Sequence, residues 1–373
     1  MTLSDSARKI LNDPARIRAR DLWFERLEHV FTGEPDPFDD RYVFAVNGIV
    51  SQPPEPSIQY DDPEGYVIQA LEDLAARIEE TDSDVMFVPA CVEVPFYGVH
   101  FIDKLFGCTV WFQDGQWYNR YLDAPVGSLE RPDLERSPLW QAARRAAECF
   151  VRQDVALPLF GLPTIASALN IAINLYGEEI LAAMLLEPEA AQHDFQVIND
   201  LLCDLHRWYL DHIPLRQLQP VISWNRTQPP GYGQLCGCSL QLISAELHEE
   251  FIAPLDDALL AVYPKGGMIH LCGRHDQLLD NFRRMPHLHA LQVNDRAAHD
   301  LMLYHDRLRR DQILYLNPCP SMTVERAMEL TGGDRLVIAD TISSLLPKSS
   351  RSNPSSAPGE DGGAELPHGS HCG

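Results

Sequence analysis

The stretch MIHLCGRHD, residues 268–276, is a short apolar run that ends at a glycine, before a helix-like segment that begins at Asp276. Read as a β-strand, its period of two places the side chains of His270 and Cys272 on one face, near the end of the strand. Imidazole and thiolate groups are ligands that zinc favours. The stretch therefore predicts a strand-to-helix unit and one corner of a metal site.

The same strand-to-helix pattern recurs along the chain. Repeated alternation of strands and helices predicts a parallel sheet of the α/β class, and eight such units predict a closed (β/α)8 TIM barrel. We assign residues 1–346 to this barrel domain. The eight apolar runs are residues 42–48, 85–90, 155–160, 220–224, 268–272, 290–294, 312–317 and 335–339.

Three segments lie outside this pattern. Residues 6–31 carry apolar side chains at helical spacing, which predicts a helical extension at the N-terminus. Residues 107–125 contain two β-rich runs around Asp114 and Gly115, a strong hairpin signal, and this hairpin is either a lid over the site or a plain surface element. Residues 347–373 are rich in Ser, Pro and Gly, which predicts a disordered tail.

Composition narrows the class of protein. The formal net charge of -24 argues against a nucleic-acid partner, because phosphate binding needs clustered Lys and Arg. The first residues lack the apolar core of a signal peptide, and the chain lacks a run of about 18 apolar residues, so we expect a cytoplasmic protein without a membrane partner. Nine cysteines in 373 residues are too sparse for a disulfide scaffold and predict reduced thiols.

The polar residues at the predicted strand ends are the candidates for chemistry, because barrel enzymes place catalytic groups at the C-terminal ends of their strands. We predict that His270, Cys272 and Cys319 bind a metal ion, since Cys319 closes the apolar run ILYLNPCP in a place that matches Cys272. Asp295 and Asp340, at two other strand ends, are predicted to orient the histidine ligand or to act as acid and base.

Other cysteines are weaker candidates. Cys236 and Cys238 lie in a long Gly- and Pro-rich segment after the fourth run, and the sequence leaves open whether they or Cys319 complete the metal site. Buried single cysteines more often act as small apolar residues, and four of them are predicted to serve packing alone: Cys91, Cys108, Cys149 and Cys203.

The series GCSLQLISAELHEEFIAPL (237–255) and GGMIHLCGRHDQLL (266–279), with the strands that follow, resembles the uroporphyrinogen decarboxylase superfamily. Within it the chain is most similar to the zinc-dependent methylcobamide:thiol methyltransferases. The resemblance covers roughly residues 40–345 and is most specific at HLCG. It implies a barrel, a zinc ion held by a His-any-Cys motif that maps onto His270 and Cys272, and a corrinoid protein that presents the methyl group.

The sequence departs from the family pattern in two places. The methyltransferases are expected to carry a second ligand cysteine near the last strand, whereas that strand reads RLVIADT (335–341) here and Cys319 lies one strand earlier. The decarboxylases carry an arginine-rich segment near the first strand, whereas VNGIVSQPPEP (46–56) contains no arginine. The second departure makes uroporphyrinogen decarboxylation the less favoured activity.

The leading functional hypothesis is therefore transfer of a methyl group from a methylated corrinoid to the zinc-bound thiolate of a small thiol. One alternative is metal-independent decarboxylation of a tetrapyrrole or other polycarboxylate, with Asp295 or Asp340 stabilising a protonated ring and Arg120 or Arg226 binding carboxylates. A second alternative is a barrel that binds a tetrapyrrole or a corrinoid protein without catalysis. The sequence identifies neither the methyl donor, nor the thiol, nor the oligomeric state.

Overall fold

The structure is a computed structural model. It describes residues 2–33, 42–46, 49–50, 61–80, 89–94, 96–163, 165–219 and 227–340, and at 42–46, 49–50, 79–80 and 340 it describes the backbone alone. The predicted tail at 347–373, the predicted strand at 220–224 and most of the predicted strand at 85–90 lie outside these ranges.

Helices and strands alternate along the described chain. The helices are α1 (Asp5–Leu11), α2 (Pro14–Thr32), α3 (Pro63–Glu80), α4 (Phe101–Leu105), α5 (Pro138–Arg152), α6 (Ala168–Tyr176), α7 (Glu179–Leu186), α8 (Pro188–His212), α9 (Ala245–Leu247), α10 (Ala253–Leu260), α11 (Leu279–Arg284), α12 (Asp295–His299), α13 (Leu301–Arg307) and α14 (Val324–Thr331). Single 3-10 turns cover Gly98–His100, Leu134–Arg136, Cys238–Leu242 and Asp276–Leu278, and a π-helical turn covers His248–Ile252.

The strands are β1 (Tyr42–Val46), β2 (Ile49–Val50), β3 (Ala90–Glu93), β4 (Thr109–Gln113), β5 (Gln116–Arg120), β6 (Leu159–Gly161), β7 (Leu218–Gln219), β8 (Gly233–Cys236), β9 (Gly267–Leu271), β10 (Leu288–Val293), β11 (Ile313–Leu316) and β12 (Leu336–Asp340). They form a six-stranded sheet in the order β1-β12-β11-β10-β9-β8, a four-stranded sheet in the order β2-β3-β6-β7, and the hairpin β4-β5. Every pairing in the two larger sheets is parallel, as predicted for an α/β fold.

The two parallel sheets approach each other at two places. The strands β1 and β2 follow each other along the chain, and an isolated parallel bridge joins Ala166, after β6, to Cys236 at the end of β8. Within the described residues the pairing does not run through one continuous ring of strands. The structure thus confirms the α/β class with parallel sheets, and the predicted closed barrel stays a prediction.

The described side chains of strands β8 to β12 are buried on both faces of the six-stranded sheet. One face packs on the surrounding helices, and the other packs on α2, whose apolar stripe includes Trp23, Phe24, Leu27 and Phe31. Because successive side chains alternate, every second strand residue contributes to the α2 side, which we call the inner face. The inner-face residues of the shared core are Met268, Ala290, Ile313, Tyr315, Val337 and Ala339.

The clearest difference from the sequence-based prediction lies at Gly233–Cys236. This segment was predicted to belong to a long loop, but it forms strand β8 and pairs in parallel with β9, with Cys236 opposite His270. The four residues are too few to show a strand pattern by themselves. Their place in the sheet comes from the backbone hydrogen bonds that the edge of β9 offers.

The N-terminal helical extension and the hairpin are both confirmed. The extension is divided at Asp13, whose side chain accepts hydrogen bonds from the backbone of Ala15 and Arg16 and so caps α2. The hairpin turns at Asp114 and Gly115, both with positive φ, and its base is tied to α6 by a hydrogen bond of 2.8 Å from Leu122 N to the carbonyl of Leu175.

Among the described residues, no single helix combines the length and the apolar composition that a membrane crossing needs. The helices α6 and α7 meet that test by length and composition only when taken together, and they are bent by 111° at their junction.

Candidate metal centre

A cluster of sulfur and nitrogen donors lies where β8 and β9 end. The side chains of Cys236, Cys238 and His270 each bring a potential ligand atom to within 4.8 Å of the other two, and all three residues are buried. The two sulfur atoms are 3.4 Å apart. Among the described residues no other group of three or more His, Cys, Asp or Glu side chains meets this geometry.

Backbone hydrogen bonds fix these donors in place. His270 lies on β9 two positions after Met268, and the sheet period therefore turns its imidazole toward the inner face. Cys236 lies opposite it on β8, and the chain leaves β8 through Gly237, whose N–H donates to the His270 carbonyl at 2.9 Å. Cys238 is the first residue of the 3-10 turn that follows, and its thiol lies beside the thiol of Cys236.

Glycine permits the close packing of the two strand ends. A Cβ atom at Gly273 would lie 1.8 Å from Oε1 of Gln241, and one at Gly237 would lie 2.7 Å from a methyl carbon of Ile269. A larger residue at Gly273 would displace the flexible end of the Gln241 side chain, and one at Gly237 would press on Ile269 of β9. The glycine of the HLCG motif therefore leaves room for the Gln241 amide, which comes from the loop after β8.

The predicted ligand Cys272 is adjacent to this cluster. Its Sγ lies 2.9 Å from the Sγ of Cys238, and its side chain is half-buried whereas Cys236 and Cys238 are buried. Cys272 is not one of the three residues whose donors are mutually within 4.8 Å. The structure thus places Cys272 against one member of the group and His270 within the group, and the group adds two cysteines that the sequence left open. The ligand role predicted for Cys272 stays a prediction.

The structure does not bring Cys319 into the group of three. Cys319 lies in the loop after β11, half-buried, and its Sγ lies 3.3 Å from the hydroxyl oxygen of Ser321. A cysteine that closes an apolar run is placed near a strand end by sequence, but the direction of its side chain depends on the following loop. Its predicted role as a ligand stays a prediction, and the geometry favours Cys236 and Cys238.

The predicted acidic residues lie at two other strand ends. Asp295 is exposed, begins α12 directly after Asn294, and holds a positive φ of 45°, a conformation that is uncommon for non-glycine residues. Asp340 is the last residue of β12, where its backbone pairs with Val46, and its side chain lies outside the described atoms. The catalytic roles predicted for both residues stay predictions.

A carboxamide network supports His270 from the neighbouring strands. Nδ1 of His270 contacts Oε1 of Gln292, a fully buried residue at the paired position on β10. The Nε2 of Gln292 donates to Oδ1 of Asn294 and, at 3.0 Å, to Oδ1 of Asn317. Because these two acceptors fix the Gln292 amide nitrogen, its oxygen faces the imidazole and accepts from Nδ1–H, which leaves the lone pair on Nε2.

Sequence reasoning missed Gln292, although a signal was present. A glutamine in the apolar run HALQVND, two positions before Asn294, is a polar residue on the inner face of a buried strand. Such a residue needs a hydrogen-bond partner, and the paired position on the adjacent strand is His270. The pairing itself could not be read from the sequence.

We expect the Gln292→Ala variant to bind zinc about 10- to 100-fold more weakly than the wild type, because loss of an orienting partner frees the imidazole to rotate and change tautomer. Competition with a chromogenic chelator measures this change. Gln277→Ala is the matched control, since this exposed glutamine donates to a loop carbonyl, that of Ile243, and not to the imidazole of His270. Unchanged zinc affinity in Gln292→Ala would contradict the assigned role.

A second buried histidine braces the loop after β9. His275 is fully buried, and its Nδ1 lies 2.9 Å from the carbonyl oxygen of Gly273. Burial lowers the pKa of His275, and nearby backbone groups of Gly273, Cys238 and Gly237 act in the opposite direction. His275 is therefore a neutral residue that packs both loops of the cluster against each other.

The cysteines predicted to serve packing are all buried. Burial raises the pKa of Cys91, Cys108, Cys149 and Cys203, to about 12 at Cys108 and to about 11 at Cys203. A raised pKa keeps a thiol protonated and unreactive. These four residues thus fit the predicted packing role.

No protein-family model matches the sequence, and no curated protein matches it. Among solved structures the chain is similar to a methyltransferase from Methanosarcina mazei, with 14% sequence identity and a TM-score of 0.57. The alignment covers 87% of this chain and 94% of the methyltransferase. At this identity the similarity concerns the fold, so this chain folds like that methyltransferase over most of its length.

Proposed function

We propose that this protein is a zinc-dependent methyltransferase that moves a methyl group from a methylated corrinoid to the thiolate of a small thiol. The observation that carries the proposal is the buried group of Cys236, Cys238 and His270 at the end of two parallel strands. The fold shared with a methyltransferase supports the reaction type. The resemblance of HLCG to the methylcobamide:thiol methyltransferases supports the corrinoid donor and a corrinoid protein as partner.

We further propose that the two parallel sheets are arcs of one TIM barrel. The continuity of the chain from β1 to β2 lies at one junction that closure would require, and the bridge from Ala166 to Cys236 joins the segment after β6 to the edge strand β8 of the other sheet. The apolar stripe of α2 would then cover one end of the barrel interior. In such a barrel the cysteine and histidine donors would lie at the C-terminal mouth, where barrel enzymes bind their substrates.

The donor set fits zinc. Catalytic zinc takes nitrogen and thiolate ligands from three protein residues and leaves one position for water or substrate. Cys236, Cys238 and His270 supply three such donors, and the contact between Nδ1 of His270 and Gln292 holds the imidazole in one orientation. Cys272, beside Cys238 and more exposed than Cys236 and Cys238, marks the side on which a substrate thiol would enter.

Bound zinc would supply a Lewis acid that holds a substrate thiol as its thiolate, the form that is nucleophilic at neutral pH. The residues of this chain supply the setting for that chemistry. Gln292 holds the imidazole of His270 in one orientation, and the apolar residues around the strand ends keep water from the buried sulfur atoms. The network of Gln292, Asn294 and Asn317 lines the same strand ends with uncharged hydrogen-bonding groups.

Metal removal tests the proposal. The purified full-length protein is expected to contain one zinc ion per chain and to transfer the methyl group of free methylcobalamin to 2-mercaptoethanol. Dialysis against a chelator should abolish the transfer, and added zinc should restore it, because the thiol loses the cation that deprotonates it. Transfer that persists without metal would contradict the proposal. Chelator-insensitive release of carbon dioxide from a polycarboxylate tetrapyrrole would instead favour the decarboxylase alternative.

A further inference from the structure

The contact between Cys238 and Cys272 has a second chemical use. The two sulfur atoms, 2.9 Å apart, belong to loops after different strands and are separated by 34 positions in the sequence. Cys272 is half-buried and so within reach of a small solute, whereas Cys238 is buried beside it. A partly exposed thiol beside a buried second thiol is the arrangement of a reactive cysteine and its resolving partner.

We propose that Cys238 and Cys272 form a reversible disulfide when the metal site is empty and a peroxide is present. The inference uses the proposed metal site and does not depend on methyl transfer. A cross-link between these residues would join the loop after β8 to the loop after β9. The link would also remove the thiolate of Cys238 from the donor group, so that metal binding and disulfide formation exclude each other.

The reaction balances with hydrogen peroxide as the oxidant. The sulfur of Cys272 attacks one peroxide oxygen, the oxygen–oxygen bond breaks, and a sulfenic acid and one water are formed. The sulfur of Cys238 then attacks the sulfenic sulfur, and the leaving hydroxyl group takes up the proton of Cys238 as a second water. Two thiols are oxidised to one disulfide, and one peroxide is reduced to two waters.

The neighbouring pair is less suited to this reaction. Cys236 and Cys238 are 3.4 Å apart, but both are buried, so neither is the residue that a solute reaches first. Cys319 has an exposure similar to that of Cys272 but contacts a serine hydroxyl oxygen. Cys319 is therefore the matched control, because it is as accessible to a solute as Cys272 but contacts a hydroxyl instead of a second thiol.

Peptide mapping tests the proposal on the full-length protein, with zinc bound or removed by a chelator. Trypsin cleavage places Cys236 and Cys238 in residues 227–265, Cys272 in residues 266–274 and Cys319 in residues 311–326. After peroxide treatment without metal, we expect a linked pair of the first two peptides that dithiothreitol separates. The Cys236→Ser and Cys319→Ser variants should retain the link, and the Cys238→Ser and Cys272→Ser variants should lose it.

Three results would overturn the inference. The first is the absence of the linked pair in the metal-free wild type, and the second is its persistence in Cys238→Ser. The third is a zinc-loaded protein that forms the link as fast as the metal-free protein, since metal and disulfide would then not share Cys238. Should Cys238→Ser fail to fold, Cys236→Ser decides alone, because it leaves Cys238 as the one cysteine of residues 227–265. Every readout is a mass, so loss of methyl transfer leaves the test intact.

Discussion

Replacing Cys238 with serine is expected to lower the zinc affinity of the protein by more than about 100-fold, beyond the effect of losing an orienting partner. The sulfur of Cys238 lies within 4.8 Å of the potential ligand atoms of both Cys236 and His270, and it also contacts the sulfur of Cys272, so it is central to the donor group. Serine keeps the size of the side chain but replaces a soft thiolate donor with a hydroxyl. Zinc content per chain, measured by elemental analysis after gel filtration, gives the result.

The matched control for this variant is Cys319→Ser, which is expected to retain one zinc ion per chain. Cys319 was the ligand predicted from its place at a strand end, so the pair of variants separates the two possible ligand sets. Zinc loss in Cys319→Ser together with zinc retention in Cys238→Ser would favour the ligand set predicted from the sequence and refute the set proposed from the structure. Melting temperatures of the metal-free variants show whether either change acts through folding.

The second large effect concerns Asp256, whose carboxyl group is buried on α10. Its Oδ1 accepts a hydrogen bond of 2.8 Å from the hydroxyl of Ser167, which caps α6 and whose N–H donates to the Cys236 carbonyl. Burial raises the pKa of Asp256 from its ordinary value of 3.8 to about 7, and this outweighs the opposing hydrogen bond from Ser167. The folded protein therefore holds a proton that the unfolded chain releases at lower pH.

The sign of the pH dependence follows from this difference. Between the unfolded pKa of 3.8 and the folded pKa of about 7, raising the pH favours the unfolded chain, because only the unfolded chain has released the proton. At about 1.4 kcal/mol per pH unit, this residue should lower the free energy of unfolding by on the order of 3 kcal/mol between about pH 5 and pH 8. Above the folded pKa the loss is complete and stays constant.

The Asp256→Asn variant isolates this contribution. Asparagine keeps an oxygen that can accept from Ser167 but does not ionise, so the variant should gain stability relative to the wild type as the pH rises. Urea unfolding of both proteins at the two pH values gives the difference. Asp280→Asn is the control, because this exposed carboxylate forms a surface ion pair with Arg307. A pH-independent difference between Asp256→Asn and the wild type would show that Asp256 is ionised throughout in the folded protein.

Much of the fold was predictable because its elements are local. The apolar runs around His270, Gln292 and Leu314 appear as strands β9, β10 and β11, and the side chains of Ser244 and Thr323 cap the helices that follow them. The Asp114–Gly115 turn predicts its hairpin for the same reason. Each of these signals depends on residues a few positions apart.

The elements that sequence missed depend on distant partners. The strand β8 consists of four residues and acquires its identity from pairing with β9. Once β8 is in the sheet, Cys236 lies opposite His270, and the cysteines that sequence left open become the nearest donors. Cys319 was predicted from the same strand-end rule, but the rule fixes a position and not a side-chain direction. The alternation of side chains along a strand therefore predicts the face of the sheet on which a residue lies. It does not predict which residues of other strands or loops that residue contacts.

The proposed donors all come from two adjacent strands and the loops that follow them, which has a consequence for the order of folding. Cys238 and Cys272 are 34 positions apart, and Cys236 and His270 are the paired last rungs of the same two strands. Closing a loop of this length costs little more conformational entropy than closing a shorter one, and it needs neither the first strands nor the last. A single β8–α10–β9 unit thus carries the full set of proposed ligands. A site with its last ligand on β12 would instead need most of the six-stranded sheet to be formed before its ligands could meet.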